Sequence, residues 1–332
     1  LGLVCCIVIK AQAQPEIIAD TLRPAEERIQ NAIDQMTLEE KVRLCFGGER
    51  FGEVVLPGVP RLEIDPIYAA DGPRGVRAGD DTVFPSGIGL AATWNPQLVE
   101  QTGQVIGSES RARGIGMVFG PAFNINRDPL GGRFFEYLTE DPYLNGKLAA
   151  AQVRGMQREG VSACIKHFAV NSRDLNRNWY MSRVDERTLR EIYLRGYEIA
   201  VKEADPWTIM SSYNLINGTE TSENAELLTD ILRGEWGFNG LVETDWGNNS
   251  NHAFELKAGN DVKMSSGSPS TLQSAFEKGF ITRDDLERSA ERLMNLVMKV
   301  NTFQNKIVNP ITVDIGDNMT FKAAENILWS QT

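Results

Sequence analysis

Short apolar stretches alternate with longer amphipathic ones along most of this chain. Strand-like runs fall at Ile67 to Ala70, Gly116 to Phe119, Ala163 to Phe168, Thr208 to Ser212, Leu241 to Thr244 and Asp261 to Met264. Most of them carry apolar residues in succession, as Ile67 to Ala70 and Gly116 to Phe119 do, the signature of strands buried on both faces. Helical spacing occupies Pro96 to Arg113, Pro142 to Arg158, Glu186 to Ala204, Glu223 to Trp236, Thr271 to Lys278 and Arg283 to Val300. Two helix starts precede the alternation. Pro24 to Met36 places Ile29, Ala32, Ile33 and Met36 on one face behind a first-turn proline. Thr37-Leu38-Glu39-Glu40 is a capping box, and it opens a short helix that Gly47-Gly48 stops. Strand, turn and helix in repetition predict a parallel sheet with crossover helices. At this length they predict a (β/α)8-type TIM barrel, incomplete or irregular, rather than a doubly wound sheet. The predicted partition is an N-terminal arm and helix over 14–36, a barrel over 37–301, and a linker with the start of a further domain over 302–332.

One strand end carries the most telling chemistry. Gly240-Leu241-Val242-Glu243-Thr244-Asp245-Trp246-Gly247 is a buried strand running into a carboxylate, an aromatic and a glycine. Barrel enzymes build their sites at the C-terminal ends of strands, so Asp245 is the candidate nucleophile. An Asp that caps the next helix is the alternative at that position.

Composition narrows the ligand. The 332 residues hold 45 acidic against 34 basic side chains, a net charge of −11, with no basic run interleaved with aromatics. A nucleic-acid partner is therefore not expected. Four cysteines, two of them adjacent at Cys5 and Cys6, build no disulfide framework, and Cys45 and Cys164 are expected as small buried hydrophobes. With His167 and His252 the only histidines, and no H-x-x-x-H or C-x-x-C spacing, no metal is expected. No G-x-G-x-x-G follows a strand, so no dinucleotide cofactor is expected either. Residues 1–9 are apolar and lead to Ala11-Gln12-Ala13, the pattern of a signal peptide remnant over 1–13 cut before Gln14; secretion or a periplasmic location is expected from it, and the run is too short for a membrane span.

Nearly every predicted strand ends in polar groups. Ile67 to Ala70 runs into Asp71, Phe119 to Ile125 into Arg127, Ile165 into Lys166-His167, Ile209-Met210 into Ser211 to Asn214, and Val242 into Asp245-Trp246. Taken singly each reads equally as a solvated loop; converging on one rim they make a site. Asp71, Arg127, Lys166 and His167 supply the carboxylate, guanidinium, ammonium and imidazole that hold the hydroxyls of a sugar. Trp246 offers a face for a pyranose ring, or else belongs to the core. In the turn-rich stretch after Asn124, Arg127 is assigned to substrate and Arg133 to a scaffold of arginine–carboxylate pairs with Asp128, Glu136, Glu140 or Asp141.

The motifs DGPRG (71–75), NINRDPLGGRFFEYLTEDPYL (124–144), KHFAVN (166–171), MSSYNLINGTETSEN (210–224), LLTDILRGEWGFNG (227–240) and ETDWG (243–247) resemble glycoside hydrolase family 3 of the β-glucosidase type. They run in that family's order over most of residues 37–265. The resemblance implies a retaining mechanism with Asp245 as nucleophile and a β-glucoside as substrate. It implies that Asp71, Arg127, Lys166 and His167 bind the first sugar, with Tyr213 beside the nucleophile. It also implies that the acid/base Glu belongs to a second α/β sandwich domain absent from this chain, so that another domain or a partner chain supplies it. Asp174 and Thr244 stand where the family more often has Glu and Ser. Three further readings stay open: a sugar-binding barrel without turnover, a β-xylosidase or other exo-β-glycosidase, and an aldolase-type barrel with Lys166 as a Schiff base.

Overall fold

The computed structural model describes residues 23–50, 53–77 and 81–304. The expected signal segment over 1–13, most of the expected N-terminal arm and nearly all of 302–332 lie outside the described residues. Eight strands form one sheet: β1 (Phe46–Arg50), β2 (Glu53–Leu56), β3 (Ile67–Asp71), β4 (Ile115–Phe119), β5 (Ser162–Phe168), β6 (Thr208–Ser211), β7 (Leu241–Glu243) and β8 (Lys263–Met264). They neighbour one another in chain order, with β8 beside β1. A single parallel bridge between Glu243 and Val262 brings the two ends of the sheet together. This is the predicted barrel, and its irregularity has a definite form: β2 is antiparallel to both β1 and β3, while the other ladders are parallel.

The first two strands are not among those predicted. The capped helix, Leu38–Leu44, ends before Gly47-Gly48 is reached, with Cys45 as its C-cap, and the two glycines expected to stop it lie inside β1 instead. The Met264 side chain passes over Gly47 from β8, and a Cβ there would sit 2.3 Å from its sulfur, so a larger residue would have to push that side chain aside. An antiparallel pair closes through a short turn, so β1 and β2 need no crossover helix and give no helical signal between them.

Alternation along the strands divides the core. Val118, Ile165, Ile209 and Val242 point outward into a cluster with Ile106, Leu148 and Met156 of the covering helices. Met117, Phe119, Cys164, Met210 and Leu241 point into the barrel, and their cluster continues to Ile29 and Ile33 of the helix Ala25–Gln35 and to Leu293 and Val297 of the helix Arg283–Gln304. Those two helices belong to the inner cluster rather than to the outer layer.

The helices Pro96–Ala112 and Pro142–Arg158 match their predicted spans almost to the residue, each opened by a side-chain cap, Asn95 and Asp141. They cross in close contact. A Cβ on Gly155 would lie 2.1 Å from the Glu100 carbonyl oxygen, which is backbone and has no rotamer to yield. Gly155→Ala is therefore expected to lower stability by about 1–3 kcal/mol; an unchanged urea midpoint would count against this packing. Glu186–Ala204 is helical as predicted but contains a π turn at Leu189–Tyr193, and Glu226–Glu235 is wound as π-helix throughout.

Candidate active site

Leu241, Glu243 and Asp245 share the inner face of the strand-end segment, so the last of them emerges at the top of the barrel. Three contacts stitch this segment to β8. The Thr244 N–H donates to the Val262 carbonyl at 2.9 Å, the Thr244 hydroxyl accepts from the Met264 N–H at 2.9 Å, and the Gly247 N–H donates to the Met264 carbonyl at 2.9 Å. Asp245 is only 7% exposed. Its Oδ1 accepts from the Trp246 N–H at 2.7 Å, whereas its Oδ2 is buried without a hydrogen-bond partner. Burial raises its pKa, and Arg133, the Trp246 N–H, Lys166 and Tyr213 pull against that rise.

His167 faces the same oxygen. Its Nε2 lies 3.7 Å from Asp245 Oδ2 and has no hydrogen-bond partner of its own. On the other side Nδ1 is 3.2 Å from the Tyr137 hydroxyl, which accepts from Asn171 Nδ2 at 3.2 Å. The network is satisfied with the Tyr137 hydroxyl donating to Nδ1, which places the imidazole proton on Nε2, on the side of the site. Burial, with Arg133, Lys166 and Arg177 nearby, holds the His167 pKa well below the usual histidine range, so the ring is neutral. The main chain is clamped as well: Asn124 donates to the His167 carbonyl at 2.8 Å and accepts from its N–H at 2.9 Å.

Lys166, next along β5, donates to Asp71 at 3.1 Å. Burial pushes the Asp71 carboxyl up, but Lys166, then Arg77 and Arg133, outweigh it and hold that pKa low. Asp71 is thus an anionic acceptor at the rim. Tyr213 donates to the Trp246 carbonyl at 2.5 Å; burial and the Asp245 charge raise its pKa, so the phenol keeps its proton. Trp246 is partly buried against the inner cluster.

Asp71, Lys166, His167, Tyr213, Asp245 and Trp246 are therefore gathered as expected, and Arg127 is not. Arg127 is exposed, and its guanidinium donates to the Tyr193 hydroxyl at 2.6 Å. The arginine at the site is Arg133, which the sequence pattern placed in the scaffold. It pairs with the buried Glu136, as that assignment had it, and also lies 4.0 Å from Asp245 Oδ2. Turns at Asp128–Gly131 and Gly131–Phe134 redirect the chain between the two arginines. No periodicity survives such turns, so nothing in the spacing tells these two arginines apart.

Sequence reasoning also missed Glu243. It is fully buried below Asp245, accepts from the Cys164 thiol at 3.2 Å, and has its second oxygen unpartnered. Burial pushes its pKa to about 8. A carboxyl raised in the fold costs nothing while both states hold the proton, and the cost grows as pH climbs from the unfolded value of 4.5 to about 8. Glu243→Gln is expected to gain stability over the parent between pH 5 and pH 8, on the order of 3 kcal/mol. A stability difference between the two that stays flat across this window would refute a protonated Glu243.

Residues 59–296 match the glycosyl hydrolase family 3 N-terminal domain. The chain belongs to that family. The family 3 barrel is 41% identical over 285 residues to thermostable β-glucosidase B of Acetivibrio thermocellus, covering 81% of this chain and 37% of that protein. It is 39% identical over 308 residues to an exo-α-(1→6)-L-arabinopyranosidase of Bifidobacterium longum, covering 88% and 40%. Among solved structures it is similar to β-glucosidase 3B of Thermotoga neapolitana in complex with α-D-glucose, with a TM-score of 0.80 at 36% identity over 91% of this chain and 47% of that one. The chain spans less than half the length of each. Among the described residues no group of three or more His, Cys, Asp and Glu side chains is arranged to hold a metal ion, and no helix is long and apolar enough to cross a membrane.

Proposed function

We propose that this barrel hydrolyses terminal non-reducing β-D-glucosyl residues with retention, Asp245 attacking the anomeric carbon. The observation that carries the reading is the unpartnered Asp245 Oδ2, buried, with His167 Nε2 at 3.7 Å and Arg133 at 4.0 Å. Keeping such a carboxylate out of water is costly unless a ligand uses it. Asp71, Lys166, His167 and Arg133 grip the sugar hydroxyls, with hydrogen bonds that tighten as positive charge develops on the ring.

Retention needs a second carboxyl about 5–5.5 Å from the first to protonate the leaving oxygen. Asp71 is held ionised by Lys166, and Glu243 is sealed in the barrel floor. Neither suits that task, so the proposal takes the acid/base carboxyl from another segment or chain. Lys166 is engaged by Asp71, which disfavours the Schiff-base reading. The likeness to an arabinopyranosidase favours testing a second glycone, and the apolar run at 1–9 supports secretion or a periplasmic location.

The test is a 2-deoxy-2-fluoro-β-glucoside with a dinitrophenyl leaving group, which departs without protonation. A mass gain on the peptide containing Asp245 is expected. Stoichiometric label on another residue, or none on a folded chain, would favour the binding-only alternative.

A further inference from the structure

A cavity of about 820 Å³ lies apart from the Asp245 site, walled by the segments around Arg127, Val170–Ser172, Met181–Thr188, Tyr193 and Asn217. None of Asp71, Lys166, His167, Tyr213 or Asp245 lines it. Its volume is that of a small-ligand site, and its lining mixes apolar side chains, Val170, Met181 and Val184, with hydroxyls and two guanidinium groups.

The guanidiniums are the unusual element. In this acidic chain arginines typically meet carboxylates: Arg113 meets Asp81, Arg154 and Arg158 meet Glu100, Arg190 meets Glu235, and Arg233 and Arg292 meet Asp261. Arg127 instead donates to a neutral phenol, and Arg183 has no hydrogen bond or ion pair to any described residue. The acid in the wall, Asp185, is turned to other work, its carboxylate accepting from the Thr188 N–H at 2.9 Å and the Thr188 hydroxyl at 2.8 Å.

We infer that this cavity is a second carbohydrate site that takes an acidic sugar, a uronate, with Arg127 and Arg183 on its carboxylate. The planar carboxylate matches the guanidinium fork, and the apolar wall suits the C–H faces of a pyranose. The assignment does not depend on turnover at Asp245.

The experiment is calorimetric titration of the full chain with methyl β-D-glucuronide, with methyl β-D-glucoside and sodium sulfate as comparison ligands. The wild-type chain is expected to bind the glucuronide, and Arg183→Gln to weaken that binding at least tenfold. Arg183 is exposed, so the variant keeps its fold, and Arg127→Gln, also at an exposed position, supplies a second reading with a loss in the same direction. Saturating glucuronide should leave labelling of Asp245 by the fluoroglucoside unprotected. No glucuronide binding, equal binding by Arg183→Gln, or sulfate binding as tightly would each overturn the uronate assignment. Protection of Asp245 would return the ligand to the first site. A chain that fails to label yet binds glucuronide through Arg183 would sink the glycosidase reading and leave this one standing.

Discussion

Asp245→Asn is expected to abolish both covalent labelling and turnover of a dinitrophenyl β-glucoside, with a loss of at least about 10⁴-fold, as when other enzymes lose a nucleophile. Asparagine preserves shape and the acceptor for the Trp246 N–H but carries no negative oxygen to attack carbon. The fold should not suffer. Burial raises the Asp245 pKa, so near neutral pH its ionised form is a net cost to stability, and the amide removes that cost. A melting temperature no lower than the parent's would accompany the loss of activity. Labelling that persisted on the same peptide would remove Asp245 from the nucleophile role.

Arg133→Gln should produce the second largest effect, a fall in the labelling rate of roughly 10²–10³-fold. The guanidinium is the largest of the influences holding the Asp245 pKa down, and it pairs with buried Glu136. Without it the nucleophile binds its proton more tightly, and the acidic limb of the pH–rate profile moves to higher pH. Arg133→Lys should restore part of both rate and profile. Arg127→Gln should fall short of the Arg133→Gln loss by at least tenfold. If the two arginines exchanged ranks, the placement of Arg133 at the site would be wrong and the sequence-based assignment of Arg127 right.

These two arginines mark the limit of what the sequence discloses. Ala163 to Phe168, Thr208 to Ser212 and Leu241 to Thr244 are buried along their length, so their apolar runs announce strands, and the polar groups at their ends announce a rim. Asp71, Lys166-His167 and Asp245 are legible because each stands directly at a strand end. Arg127 and Arg133 lie beyond a strand end, among turns, where direction is decided by the loop rather than by a repeat. The β1–β2 hairpin escapes notice for a related reason: Gly47 reads as punctuation, while its role is to make room for the Met264 side chain. Glu243 stands one residue before the strand end, overshadowed by Asp245, and only the fold reveals a carboxyl enclosed with a thiol.

The joint between β7 and β8 has one ladder bridge, and hydrogen bonds flank it on both sides: the Val242 carbonyl accepts from the Asp261 and Val262 N–H groups, and past Glu243 the backbone and side chain of Thr244 and the Gly247 N–H bond to Val262 and Met264. Position 244 therefore has to carry a hydroxyl, whatever else it carries. A serine would offer the same oxygen to the Met264 N–H, so it would serve as the same stitch. Valine, nearly identical to threonine in outline, would be the poorer substitute. In this barrel the neighbour of Asp245 answers to the closure of the sheet before it answers to any chemistry.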